Sequence, residues 1–155
     1  MKWKVPPRIK IHEALGAIGD KRIEVSGDTA KIYSSSGGKF YTVTYDATAH
    51  ALMVNDNGSY WKGYLGYPAI AYLMMIGKIY YTQEQTTAFV GIAWKDINTK
   101  FKNDFDKTLT YIHNAQEERG IDVVGLEKEI DLIFTHVSNN LPSMLGKKTK
   151  PPGGY

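Results

Sequence analysis

The chain has 155 residues, 43% hydrophobic and 23% charged, which suits one globular domain with a core of its own. It has no cysteine. That excludes disulfides, zinc ribbons, iron–sulfur clusters and thiol nucleophiles, and leaves only His and carboxylates for any metal. The net charge of +3 is unevenly spread: Lys2, Lys4, Arg8 and Lys10 crowd one end and Lys147, Lys148 and Lys150 the other, leaving 12 basic against 16 acidic groups elsewhere.

Basic ends on an acidic body can contact the phosphates of a nucleic acid, and equally can be solvated tails. The opening MKWKVPPRIK has charge but no apolar core, so a signal peptide is not expected. The longest apolar run, Tyr64 to Gly77, has 14 residues between Lys62 and Lys78. It is too short to cross a bilayer as a helix and suits a buried core helix. The expectation is a cytoplasmic protein with no membrane partner.

Pro6 and Pro7 open a predicted helix, Pro7 to Ile18, whose apolar face is Ile11, Ala14, Leu15 and Ile18. His12 and Glu13 sit beside that face. Four short strands are predicted next: Arg22 to Ser26, Ala30 to Ser34, Phe40 to Tyr45 and His50 to Val54. Gly27-Asp28 fits a II′ hairpin turn. Short loops between consecutive strands favour an antiparallel meander. Pro68 starts and Gly77 ends a helix with no charge from Ala69 to Ile76, and a helix apolar all round is central in its domain.

The rest reads as helical. Thr82 and Gln85 form a capping box for a helix through about Val90, ended by Gly91. Trp94 to Phe101 is a short helix. Asp104 caps a helix through Arg119, and Asp122 caps the last one, with Val123, Leu126, Ile130, Ile133, Val137 and Leu141 in register. The fold class is therefore α+β, with one domain over 1–146 and a basic Pro/Gly tail over 147–155 expected to be flexible.

Few motifs carry chemistry. The loop Ser34 to Lys39 could cradle a phosphate but precedes a strand rather than a helix, so a hairpin loop is the plainer reading. Asn55-Asp56-Asn57-Gly58 resembles a calcium loop, yet that register puts Met53 and Tyr64 at the first and last ligand positions. The EF-hand is thereby rejected and a tight turn is expected. The histidines have neither H-x-x-x-H nor H-x-H spacing. His113 stands one helical turn from Glu117, while Glu127, Glu129 and Asp131 read as a solvated helix face. No G-x-S-x-G elbow occurs.

The segment Gly58 to Tyr67, GSYWKGYLGY, is the best candidate site. Its glycines free the backbone, and its rings and lysine supply stacking and charge suited to bases, sugars or a partner surface. The candidate binding residues are Asp56, Tyr60, Trp61, Lys62, Tyr64 and Tyr67, with Lys2, Lys4, Lys147, Lys148 and Lys150 as phosphate contacts. An edge-of-core aromatic cluster is the competing explanation.

In NDNGSYWKGYLGYPAIAYLM and KVPPRIKIHEALGAIGD the chain resembles an uncharacterised archaeal protein family. The resemblance covers about the first half. It implies an intracellular archaeal protein, no assigned activity and no catalytic residue. The expectation is a non-catalytic binding or regulatory module, engaging a protein or nucleic acid through the aromatic segment and basic ends. A small enzyme or ligand-binding protein with a pocket near 56–67 and a structural oligomer subunit are the alternatives. No cofactor, metal ligand or catalytic residue is called for.

Overall fold

A computed structural model describes residues 1–153. The elements in chain order are α1 (Ile9–Gly19), β1 (Ile23–Ser26), β2 (Thr29–Tyr33), β3 (Phe40–Asp46), β4 (Ala51–Val54), α2 (Asn57–Lys62), α3 (Tyr67–Met75), α4 (Gln83–Thr87), α5 (Trp94–Lys100), α6 (Phe105–Glu118), α7 (Val123–Asn139) and β5 (Ser143–Met144). The fold is α+β, with a mostly antiparallel sheet and a helical second half.

The four predicted strands form the meander. Gly27 takes the positive φ of 62° that its II′ turn requires. In β2 and β3 side chains alternate between faces, so Ala30, Ile32, Tyr41, Val43 and Tyr45 all point inward and are buried. The sheet gains a fifth strand that the sequence did not announce. β5 runs parallel to β4, pairing Ala51 with Ser143 and Leu52 with Met144.

Helix α3 packs on the inner sheet face and against α1 on its other side. From Pro68 to Met74 every residue is buried, as a helix without charge demands. Ile70, Leu73 and Met74 each contribute about 1.5–3 kcal/mol by leaving water. The Tyr72 hydroxyl, its polar handle, donates to Gly27 O at 3.0 Å and ties α3 to the first hairpin. α1 in turn contacts α4 and α7. It is therefore enclosed, and His12 and Glu13, expected beside its apolar face, are both buried.

The caps stand where the sequence places them. Thr82 and Gln85 make the reciprocal capping box, Asp104 accepts from Lys107 N, and Asp122 accepts from Gly125 N. The N-terminal segment is an extended clamp. Trp3 is buried and its indole donates to Leu52 O at 2.8 Å, while Lys2 bridges to Ser143 and Lys4 to Tyr64. Gly154 and Tyr155 of the expected tail lie outside the described residues. No helix among those described is long and apolar enough to cross a membrane.

Candidate functional site

The segment read as a turn, Asn55 to Gly58, is instead the start of a helix. Asp56 is the N-cap of α2, and its carboxylate accepts from Ser59 N at 3.2 Å and Ser59 Oγ at 2.5 Å. Ser59 Oγ accepts in turn from Gly66 N at 3.0 Å, which closes the following loop onto the helix. The glycines of this segment do two jobs. Gly63 takes the left-handed conformation, φ 75°, that ends α2. Gly66 lies so close to the Asp56 carboxylate, and Gly58 to the Tyr64 ring, that a Cβ at either would overlap them.

This local knot forms one wall of a cleft of about 780 Å³, within the range of small-molecule sites. α1 supplies Lys10 and Glu13, β3 supplies Tyr41, and the start of α3 supplies Tyr67 and Pro68. α5 supplies Trp94, Lys95 and Asn98 from the opposite side, and Arg22 lines it from the residue preceding β1. Four cations (Lys10, Arg22, Lys62, Lys95) face two acids (Glu13, Asp56).

Those charges are not equivalent. Lys10 Nζ pairs with Glu13 Oε2 at 3.0 Å and lies 4.9 Å over the Phe105 ring. Burial pulls the Lys10 ammonium down, but Glu13, with Tyr64 and Asp56 behind it, more than offsets that and holds it above its ordinary value. Burial pushes Asp56 up towards its neutral form, and the Ser59 hydrogen bonds and Lys10 offset only part of this. The acids of the cleft are thus one consumed by Lys10 and one discouraged from ionising.

Arg22 is different. Its Nη1 donates to Tyr33 O at 2.6 Å, but Nε and Nη2 are buried without a hydrogen-bond partner among the described residues. Asp20 Oδ2 stands 3.5 Å from Nε. Beside the guanidinium, burial drives the Tyr67 phenol far above its ordinary value, with Arg22 offsetting a fraction. Asn98 Oδ1 and Trp94 Nε1 also lack partners among the described residues, and the Trp94 indole nitrogen lies against Gly16. The arrangement offers a net excess of positive charge and a wall of rings.

Five of the six candidate binding residues line the cleft: Asp56, Trp61, Lys62, Tyr64 and Tyr67. Tyr60 does not. It packs edge-on against Trp61 with ring centroids 4.7 Å apart, and its carbonyl accepts from Lys148 Nζ at 3.1 Å. Trp61 is the exposed ring of the rim, at 69%. The two basic ends meet: Lys4 and Lys148 both approach Gly63 at the end of α2, whereas Lys147 and Lys150 are exposed and Lys2 pairs through its backbone with Ser143. Lys10, Glu13, Arg22 and Asn98 are cleft residues that sequence reasoning missed. Only the Lys10–Glu13 spacing on an apolar helix hinted at burial of a pair.

A second polar cluster corrects another expectation. Glu127, read as part of a solvated face, receives His12 Nε2 at 2.9 Å, His113 Nε2 at 2.8 Å and Arg8 Nη1 at 3.1 Å. Burial alone would raise Glu127, but hydrogen bonds from His113, His12 and Arg8 hold it well below the usual carboxylate range. His113 bonds Gln116 and Glu127 rather than Glu117, the acid one helical turn away.

No curated protein and no solved structure matches the chain. Residues 3–142 match the family model described as Uncharacterised conserved protein UCP014422, and the chain belongs to that family.

Proposed function

We propose that the protein is a non-catalytic binding module whose cleft takes up a small anionic ligand bearing a flat ring, of the nucleotide class. The observation that carries this reading is the charge of the cleft lining, four cations against two acids, of which Glu13 is held by Lys10 and Asp56 is pushed by burial towards its neutral form. An excess of positive charge in a partly desolvated cleft favours an anion there. Trp61, exposed on the rim, offers a ring face for stacking, Tyr67 lines the cleft behind it, and Lys62 on the same rim is placed for a phosphate. The meeting of Lys4 and Lys148 beside α2 favours a ligand whose charge extends beyond the cleft mouth. A chain without cysteine would suit a cytoplasmic setting for such a role.

Titration with mononucleotides, followed by tryptophan fluorescence and calorimetry, tests the reading. Saturable binding is expected, weakened at least tenfold in Trp61→Ala and Lys62→Ala, both exposed positions whose loss leaves the core intact. Absence of saturable binding, or binding that neither substitution alters, would refute it.

A further inference from the structure

We propose that His12, His113 and Glu127 form a binding site for a divalent transition-metal ion of the zinc class. The three come from α1, α6 and α7, so no sequence spacing announces them. Each offers one ligand atom, and these atoms lie within 4.8 Å of one another. The cluster is sheltered: His12 is fully buried, and the side chains of His113 and Glu127 are 17% and 22% exposed.

The independent observation is the outer hydrogen bonding of the two rings. His12 Nδ1 faces Arg8 O at 3.3 Å. His113 Nδ1 faces Gln116 Oε1 at 2.8 Å, and the orientation of that amide is fixed because Gln116 Nε2 donates to Ala88 O at 2.8 Å. Both Nδ1 atoms therefore face acceptors and carry the proton, which points both Nε2 atoms inward. Metal-ligating histidines are held in this way, with the far ring N–H on a carbonyl or amide oxygen.

The inner distances are near those of a coordination shell. His Nε2 atoms stand 2.8–3.1 Å from the Glu127 oxygens. Ligand atoms at zinc bond lengths stand about 3.4 Å apart in a tetrahedron, so an ion would open the His–Glu127 contacts and draw the three ligand atoms, all within 4.8 Å of one another, onto one centre. Arg8 Nη1 donates to the same Glu127 Oε1 at 3.1 Å, while its Nε pairs with Asp131 Oδ1 at 2.7 Å and its Nη2 donates to Glu127 O at 3.0 Å, so an ion would share that oxygen with the guanidinium. Two imidazoles and one carboxylate suit zinc, cobalt or nickel rather than magnesium or calcium, and three protein ligands leave a position for water.

The full chain, stripped with chelator, is titrated with zinc by calorimetry and with cobalt by visible absorption. One ion per chain is expected, with a rise in melting temperature and cobalt d–d bands of four- or five-coordinate nitrogen/oxygen ligation. Glu127→Gln and His113→Ala should abolish it. Gln116→Leu, which removes the Nδ1 anchor, should weaken it about 10–100-fold. His50→Asn and His136→Ala, at the two histidines outside the cluster, should leave it unchanged. Wild-type protein that binds no zinc, or binding lost with His50 or His136 instead, would overturn the assignment, and the wild-type titration decides even if a cluster variant fails to fold.

Discussion

At the scale of single residues, Asp56 shows how a polar side chain beside a cleft can be mainly structural. Its oxygens are occupied by Ser59, and Gly66 exists as glycine because that carboxylate fills the space of a Cβ. Gly66→Ala should therefore cost about 1–3 kcal/mol by overpacking, measured by urea unfolding; a neutral substitution would show that the cap yields easily. Asp56 also carries a pH signature. A carboxyl raised on folding stabilises the fold most when protonated, fully below its ordinary value of 3.8 and progressively less as pH rises through its folded value. Asp56→Asn keeps an acceptor for Ser59 but cannot ionise. Its melting temperature relative to wild type should therefore rise between about pH 4 and pH 7, and a flat difference would mean that Asp56 is not perturbed. Neither property was legible in sequence, where Asp56 looks like any turn aspartate, because both depend on Gly66 and Lys10 arriving from elsewhere.

At the scale of elements, the local rules carried far. The uncharged run became the buried α3, and Thr82, Asp104 and Asp122 cap the helices they precede. Asp122→Ala should cost about 1 kcal/mol in stability, read from denaturant midpoints; no change would mean that packing alone holds the start of α7. Two elements stayed hidden. α2 has only six residues with a glycine inside it, so it has no periodicity to detect and depends on the Asp56 cap and contact with Tyr64. β5 has two residues and exists only because residues 143–144 meet the edge of β4. Glu127 was misread for a related reason. Helical spacing defines which side of α7 a residue takes, but not that α1 and α6 cover that side with His12 and His113.

At the scale of the whole molecule, the charge asymmetry of the sequence acquires a location. The two basic ends are distant in sequence, but backbone pairing at Lys2–Ser143 and Lys4–Tyr64 draws the N-terminal segment past β5 and α2. Lys148 then reaches Tyr60 O beside the cleft rim. Removal of residues 147–155 should leave the melting temperature within a few degrees, since none of the described residues among them belongs to the core. It should also reduce nucleotide affinity and the steepness of its salt dependence. Unchanged affinity and slope would separate the basic end from ligand binding. The cleft itself was partly legible, because the aromatic segment forms one wall, but its charged floor is assembled from α1, the start of β1 and α5, which no short motif links.

The central claim is that the cleft around Arg22 and Trp61 holds an anionic, ring-bearing ligand. A nitrogen–proton NMR titration of the full chain with a mononucleotide tests it most directly. The account predicts saturable shifts at the Trp61 indole, the backbone of Ser59 to Lys62, and Arg22, with the signals of α7 unmoved. Shifts absent from these positions, or confined to the far side of the helical half, would contradict it.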